Sequence, residues 1–72
     1  MWIRSQDRLM LVNTNAVYAD YQNKRTIWAA DVRNDACVIG AYKTEERCIG
    51  ILDEIQGYIA VDIRDPYQMP EK

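Results

Sequence analysis

Gly40-Ala41-Tyr42-Lys43-Thr44-Glu45-Glu46-Arg47-Cys48-Ile49-Gly50-Ile51-Leu52-Asp53-Glu54-Ile55-Gln56 decides the fold, because a strand-like run changes there into a capped amphipathic helix. Thr44 is placed to accept a backbone hydrogen bond as N-cap, and Glu45 and Glu46 face the positive end of the helix dipole. At about 100° per residue, Cys48, Ile51, Leu52, Ile55, Tyr58 and Ile59 fall on one broad stripe, with Glu46, Gly50, Asp53, Glu54 and Gly57 opposite. Gly50 and Gly57 therefore share the polar back of the helix, where each costs about 1 kcal/mol relative to alanine. They are either tolerated surface glycines or a close-approach surface for another backbone. Two continuations are open. Gly57 could end the helix and free residues 58–63 for a sixth strand. Alternatively, the apolar stripe carries the helix on to about Ile63, with Pro66 as a later stop; the longer helix is the expectation.

Upstream, short apolar runs alternate with polar punctuation. Trp2 to Ser5, Leu9 to Val12, Ala16 to Tyr21, Thr26 to Val32 and Ala36 to Tyr42 read as strands. Asn13-Thr14-Asn15, Gln22 to Arg25 and Arg33-Asn34-Asp35 supply the turns. Alternation puts Trp28, Ala30 and Val32 on one face and Ile27, Ala29 and Asp31 on the other, with Trp28 expected inward. Ala36 to Tyr42 is apolar on both faces and reads as a strand that is either central or covered on both sides. The expected fold is α+β: one antiparallel sheet of four to five short strands, then a C-terminal amphipathic helix on one face. Residues 1–64 form the domain and 65–72 an extended tail kept out of helix by two prolines.

With 72 residues there is one core, and a chain this short buries only about 60% of its unfolded surface. The net charge is −2 at pH 7, with five basic and four acidic groups in residues 1–36 and four basic and seven acidic in residues 37–72. A phosphate-gripping domain clusters its cations, whereas Arg4, Arg8, Lys24, Arg25 and Arg33 are spread through turns and strands, which disfavours nucleic-acid binding. No run approaches the ~20 apolar residues of a membrane span and no leader is evident, so a cytoplasmic setting with Cys37 and Cys48 as free thiols is expected.

The chain has no histidine, which removes Ser-His and Cys-His nucleophile pairs. Ser5, the only serine, lacks a Gly-x-Ser-x-Gly turn and reads as structural. Two cysteines outside CxxC spacing make no zinc site, and Asp31 to Asp35 lacks the glycine and distant glutamate of a calcium loop. Glu45-Glu46 and Asp53-Glu54 point about 100° apart on a helix and would not converge on one bond. Gly40, Gly50 and Gly57 are isolated and cradle no phosphate. Cys48 sits mid-stripe and reads as a small core residue. No enzyme activity, catalytic residue, metal, cofactor or small-molecule substrate is expected.

Tyrosine is enriched at interfaces because it joins a large apolar body to a polar tip. Tyr18, Tyr21, Tyr42, Tyr58 and Tyr67 exceed what so small a core needs. Tyr67-Gln68-Met69-Pro70 either frays, as termini do, or lies as an added strand on a sheet edge in its own subunit or a neighbour. The expected interaction surface comprises Tyr18, Tyr21, Gly50, Gly57, Tyr67 and Met69. The leading expectation is a protein-interaction module, with another protein or itself as partner, a homodimer foremost. The alternative is a nucleic-acid-associated regulator using Arg4, Arg8, Lys24 and Arg25.

Met1-Trp2-Ile3-Arg4-Ser5-Gln6-Asp7, the segment Gly40 to Gln56 and Tyr67-Gln68-Met69-Pro70 together resemble a family of small proteins encoded in Firmicutes and their phages or mobile elements. In that family a strand-rich start leads through Leu-Gly-x-Tyr-x-Thr into a helix with a Val/Ile-Leu-Asp-x-Ile-Gln core. Ile39 to Thr44 and Ile51 to Gln56 stand in those places here. Gly50, where similar proteins carry a better helix former, departs from the pattern. The resemblance implies the fold and a source but no activity.

Overall fold

The computed structural model describes residues 1–72 and has one helix and six strands. The strands are β1 (Trp2–Arg4), β2 (Leu11–Asn13), β3 (Ala16–Ala19), β4 (Thr26–Ala30), β5 (Ala36–Ala41) and β6 (Tyr67–Gln68), with α1 (Glu45–Ala60) between β5 and β6. They form two three-stranded sheets, ordered β2-β1-β6 and β3-β4-β5, where a single sheet was expected. Thr14 makes the difference. Its hydroxyl oxygen lies 2.8 Å from the carbonyls of both Ala16 and Ala30, sharing its one proton between them, and accepts from Ala16 N–H at 3.3 Å, so Asn13-Thr14-Asn15 is a corner between sheets. A buried hydroxyl can satisfy the backbone groups that a strand loses when it changes sheet.

β4 is the central strand of its sheet and β5 lies at the edge, so β5 is not the central strand that its apolar run offered as one reading. The apolar character of β5 comes from a bulge: Ile27 pairs with Gly40 and Trp28 with Val38, leaving Ile39 as the extra residue. Ile39 and Gly40 are consequently both buried. The open edge of β5 is closed by Gln6, whose main-chain N–H donates to Ile39 O at 2.8 Å. The Gln6 side-chain amide then accepts from Ala41 N–H at 2.8 Å and donates to Ala41 O at 2.9 Å, standing in for a strand residue. Trp28 also lies opposite to expectation, since Ile27 and Ala29 point into the core cluster, although Ala30 at the end of β4 is buried too. Its half-exposed site lets the indole N–H reach Asp20 Oδ2 at 3.1 Å, a bond the apolar core could not supply.

Helix α1 begins as its sequence requires, with the Thr44 side chain accepting from Arg47 N–H at 3.1 Å. Cys48, Ile51 and Ile55 are its buried residues. The helix passes through Gly57 and stops at Ala60, three residues short of the expected end. Asp62 adopts φ 54, its N–H donates to Ile59 O, and Ile63 N–H donates to Tyr58 O, which closes the terminus as a Schellman motif. Residues 58–63 form no strand, and the helix is not C-terminal: the chain returns to lay β6 parallel to β1, Ile3 opposite Tyr67 and Arg4 opposite Gln68. The core joins Ile3, Ile27, Ala29, Ile39, Tyr42, Cys48, Ile51, Ile55, Tyr67 and Met69 from nearly every element.

A Cβ added at Gly50 or Gly57 would meet no atom within 4 Å. Gly50→Ala and Gly57→Ala are each expected to stabilise the chain by up to about 1 kcal/mol, read as an upward shift of the urea midpoint at constant slope.

Candidate interaction surfaces

The residues singled out by sequence separate into three places. Tyr18 on β3 and Tyr21 beyond it are 42% and 92% exposed. Gly50 and Gly57 lie along the outer side of α1, bare of neighbours. Tyr67 and Met69, expected on the surface, are instead 6% and 1% exposed within the chain's own core. The terminus does not fray there, because an aromatic ring and a thioether gain more by filling the cleft between β1 and α1 than the ordering of a short strand costs.

That cleft is built from β1 and α1 together with Ser5 and Gln6 after β1 and Tyr42 after β5. The Tyr67 ring meets Tyr58 edge to face, centroids 5.2 Å apart at 85°, and its hydroxyl donates to Glu54 at 2.6 Å. Main-chain pairing continues past the strand, with Met69 N–H donating to Arg4 O at 3.0 Å. Three successive carbonyls then accept from the body: Pro70 O from Tyr42 OH at 2.8 Å, Glu71 O from Gln6 Nε2 at 2.8 Å, and Lys72 O from Arg47 Nε at 3.0 Å. Gln68 adds a bond from its amide to Ser5 O at 3.1 Å.

Burial pushes the Tyr42 phenol up to about 12 and raises Tyr67 further, Glu54 adding to the effect on Tyr67. A phenol held neutral by the fold stabilises it below the unfolded pKa near 10, and that stability is lost as pH climbs toward the folded value. The melting temperature is therefore expected to fall from about pH 10 upward, and less steeply in Tyr42→Phe. Parallel phenolate absorbance and circular dichroism titrations check this, since ionisation of these two rings should coincide with unfolding. Burial likewise raises the Cys48 thiol. With Cys48 fully enclosed, it lacks the access that a nucleophile needs.

A surface the sequence reading missed lies on the outer face of β3-β4-β5. Tyr18 pairs across with Trp28 and Trp28 with Val38, so their side chains form a row over all three strands. Val38 is 41% exposed, and in the parallel row beside it Ala16 and Ala36 are exposed while Ala30 between them is buried. Only the register reveals this, because the spacing between strands depends on turn lengths and on the bulge. A second apolar area gathers Met1, Trp2, Ile59 and Ile63 where α1 ends beside β1.

Of the cations that the nucleic-acid reading uses, Lys24 and Arg4 have local partners, whereas the Arg8 and Arg25 side chains make no ion pair or hydrogen bond; Arg33, outside that set, is also paired. Lys24 lies 3.8 Å from Glu45, Arg33 lies 3.8 and 3.9 Å from Asp31 and Asp35, and Arg4 donates to Arg8 O. No cluster of three potential metal-ligating side chains is present, and no helix is long and apolar enough to cross a membrane. Comparison with protein-family models, with curated proteins and with solved structures gives no match.

Proposed function

We propose that this chain is a small protein-interaction module that associates with a second copy of itself through β3 and the outer face of its sheet. The observation that carries this reading is the row Tyr18-Trp28-Val38, with Tyr18 and Val38 exposed and Trp28 partly buried between them, which ends at an edge strand. Antiparallel pairing of β3 with its symmetry mate joins two three-stranded sheets into one of six strands and extends the aromatic row across the two-fold axis. Such an interface is self-complementary, as closed dimers require. Added burial also suits a domain whose single small core leaves it thinly stabilised.

Sedimentation equilibrium over a wide concentration range tests the reading. Tyr18→Lys places a charge on the edge and is expected to weaken dimerisation by tenfold or more, roughly 1.4 kcal/mol, while leaving the monomer's melting temperature within a few degrees. A strict monomer at about millimolar concentration, where even weak pairs of about 4 kcal/mol form, rules the reading out.

A further inference from the structure

We propose that the cleft between β1 and α1 is a peptide-recognition site, filled by residues 67–72 of the same chain, and that two copies exchange this segment to form a strand-swapped dimer. This rests on the tail's contacts and is independent of the β3 surface. The cleft has the parts of a strand-addition site: main-chain pairing along β1 for affinity, and enclosed positions for alternate side chains, Tyr67 and Met69, for specificity. Tyr42, Gln6 and Arg47 add capture of three consecutive carbonyls, which a passive packing contact would not need.

The second copy is the occupant for three reasons. Every bond that seats the segment runs from the tail to the body, so each forms equally well whichever chain supplies the tail. Residues 61–66, which connect α1 to β6, are exposed throughout, and beyond the helix cap their one ion pair, Arg64 with Asp62 at 3.9 Å, lies within the connection. None of the ten core residues lies in this hinge, so extending it gives up only the packing of Ile63 beside Met1 and Trp2. Finally, an emptied cleft uncovers Ile3 and the inner side of α1, so two opened chains lower their free energy by closing on each other.

The register supplies the test. Arg4 and Gln68 are direct parallel partners. One full-length chain carries Arg4→Cys, a second carries Gln68→Cys, and the two are mixed at rising concentration under mild oxidation. The expected result is a disulfide heterodimer at least about tenfold more abundant than in mixtures of either variant with the unsubstituted chain, growing with concentration as mass action requires. Pairing through β3 alone cannot make this bond, since it leaves the two positions in separate bodies. The double variant Arg4→Cys/Gln68→Cys reports the register within one chain. Heterodimer at background level while the double variant closes internally overturns the exchange, and failure of both overturns the cleft itself. Deleting residues 62–65 in the Tyr18→Lys background, which shortens the connection between the tail and its own cleft while weakening pairing through β3, should independently give a folded dimer; a folded monomer or an unfolded chain counts against the proposal.

Discussion

Met69→Asp is expected to leave the chain unfolded at ordinary temperatures. Met69 is 1% exposed and lies inside the cluster formed with Ile3, Tyr42 and Tyr67. A carboxyl placed there either holds an unpaired charge in an apolar site or takes up a proton and remains poorly bonded, at a cost of about 4 kcal/mol or more. A single core in a chain this size rarely supplies more than about 3–5 kcal/mol, so one substitution consumes most of it. Far-ultraviolet circular dichroism and a urea titration measure the outcome. Glu71→Ala provides the contrast, because only the main-chain carbonyl of Glu71 is used by the fold. Its midpoint should move by less than about 0.5 kcal/mol. Equal effects at the two positions would mean that the tail is not part of the core.

Gly40→Val is expected to destabilise the chain by about 3 kcal/mol, against the usual preference of strands for valine. A Cβ at Gly40 would lie 2.8 Å from the Tyr42 ring, 2.9 Å from its hydroxyl and 3.2 Å from the Met69 methyl. None of these can move cheaply. The ring is anchored through its bond to Pro70 O, and the methyl belongs to the segment that seals the core. Combining Gly40→Ala with Tyr42→Leu should cost less than the two single changes together, which separates steric conflict from any backbone effect. The same experiment examines the bulge, since Gly40 turns inward only because Ile39 is the extra residue.

The parts of this fold that depend on neighbouring residues were legible in the sequence. Thr44, the paired glutamates and the stripe of Cys48, Ile51 and Ile55 placed the helix within a few residues, and polar turns separated β3, β4 and β5 correctly. What depended on distant partners was not. Alternation on β4 offered apolar residues on both faces, and only the site available to the Trp28 indole N–H near Asp20 selects between them. A threonine between two asparagines reads as a turn unless the carbonyl of Ala30 is known to lie beside it. The Tyr67-Gln68-Met69-Pro70 segment was open to two readings, a frayed end or an added strand, and the choice between them rests on β1 presenting an edge and α1 a wall. Among the proposed surface residues, Tyr18 and Tyr21 are accessible because β3 is an edge, a fact of topology that composition does not encode.

The pairing of β1 with β6 has a kinetic consequence. Ile3 can meet Tyr67 only after nearly the whole chain has been looped between them, and parallel strands so far apart in sequence are among the slowest contacts to form. Hairpins β3-β4-β5 and the helix can assemble earlier from local contacts, leaving Ile3, Ile51 and Ile55 waiting for their cover. Closure of the tail is therefore expected to be a late event, with Tyr67 and Met69 weakly structured in the transition state and the sheet β3-β4-β5 strongly so. Substitutions at Tyr67 should accelerate unfolding far more than they slow folding. The last residues of this protein act less as a nucleus than as a latch, and the lifetime of the native state is set by how often that latch opens.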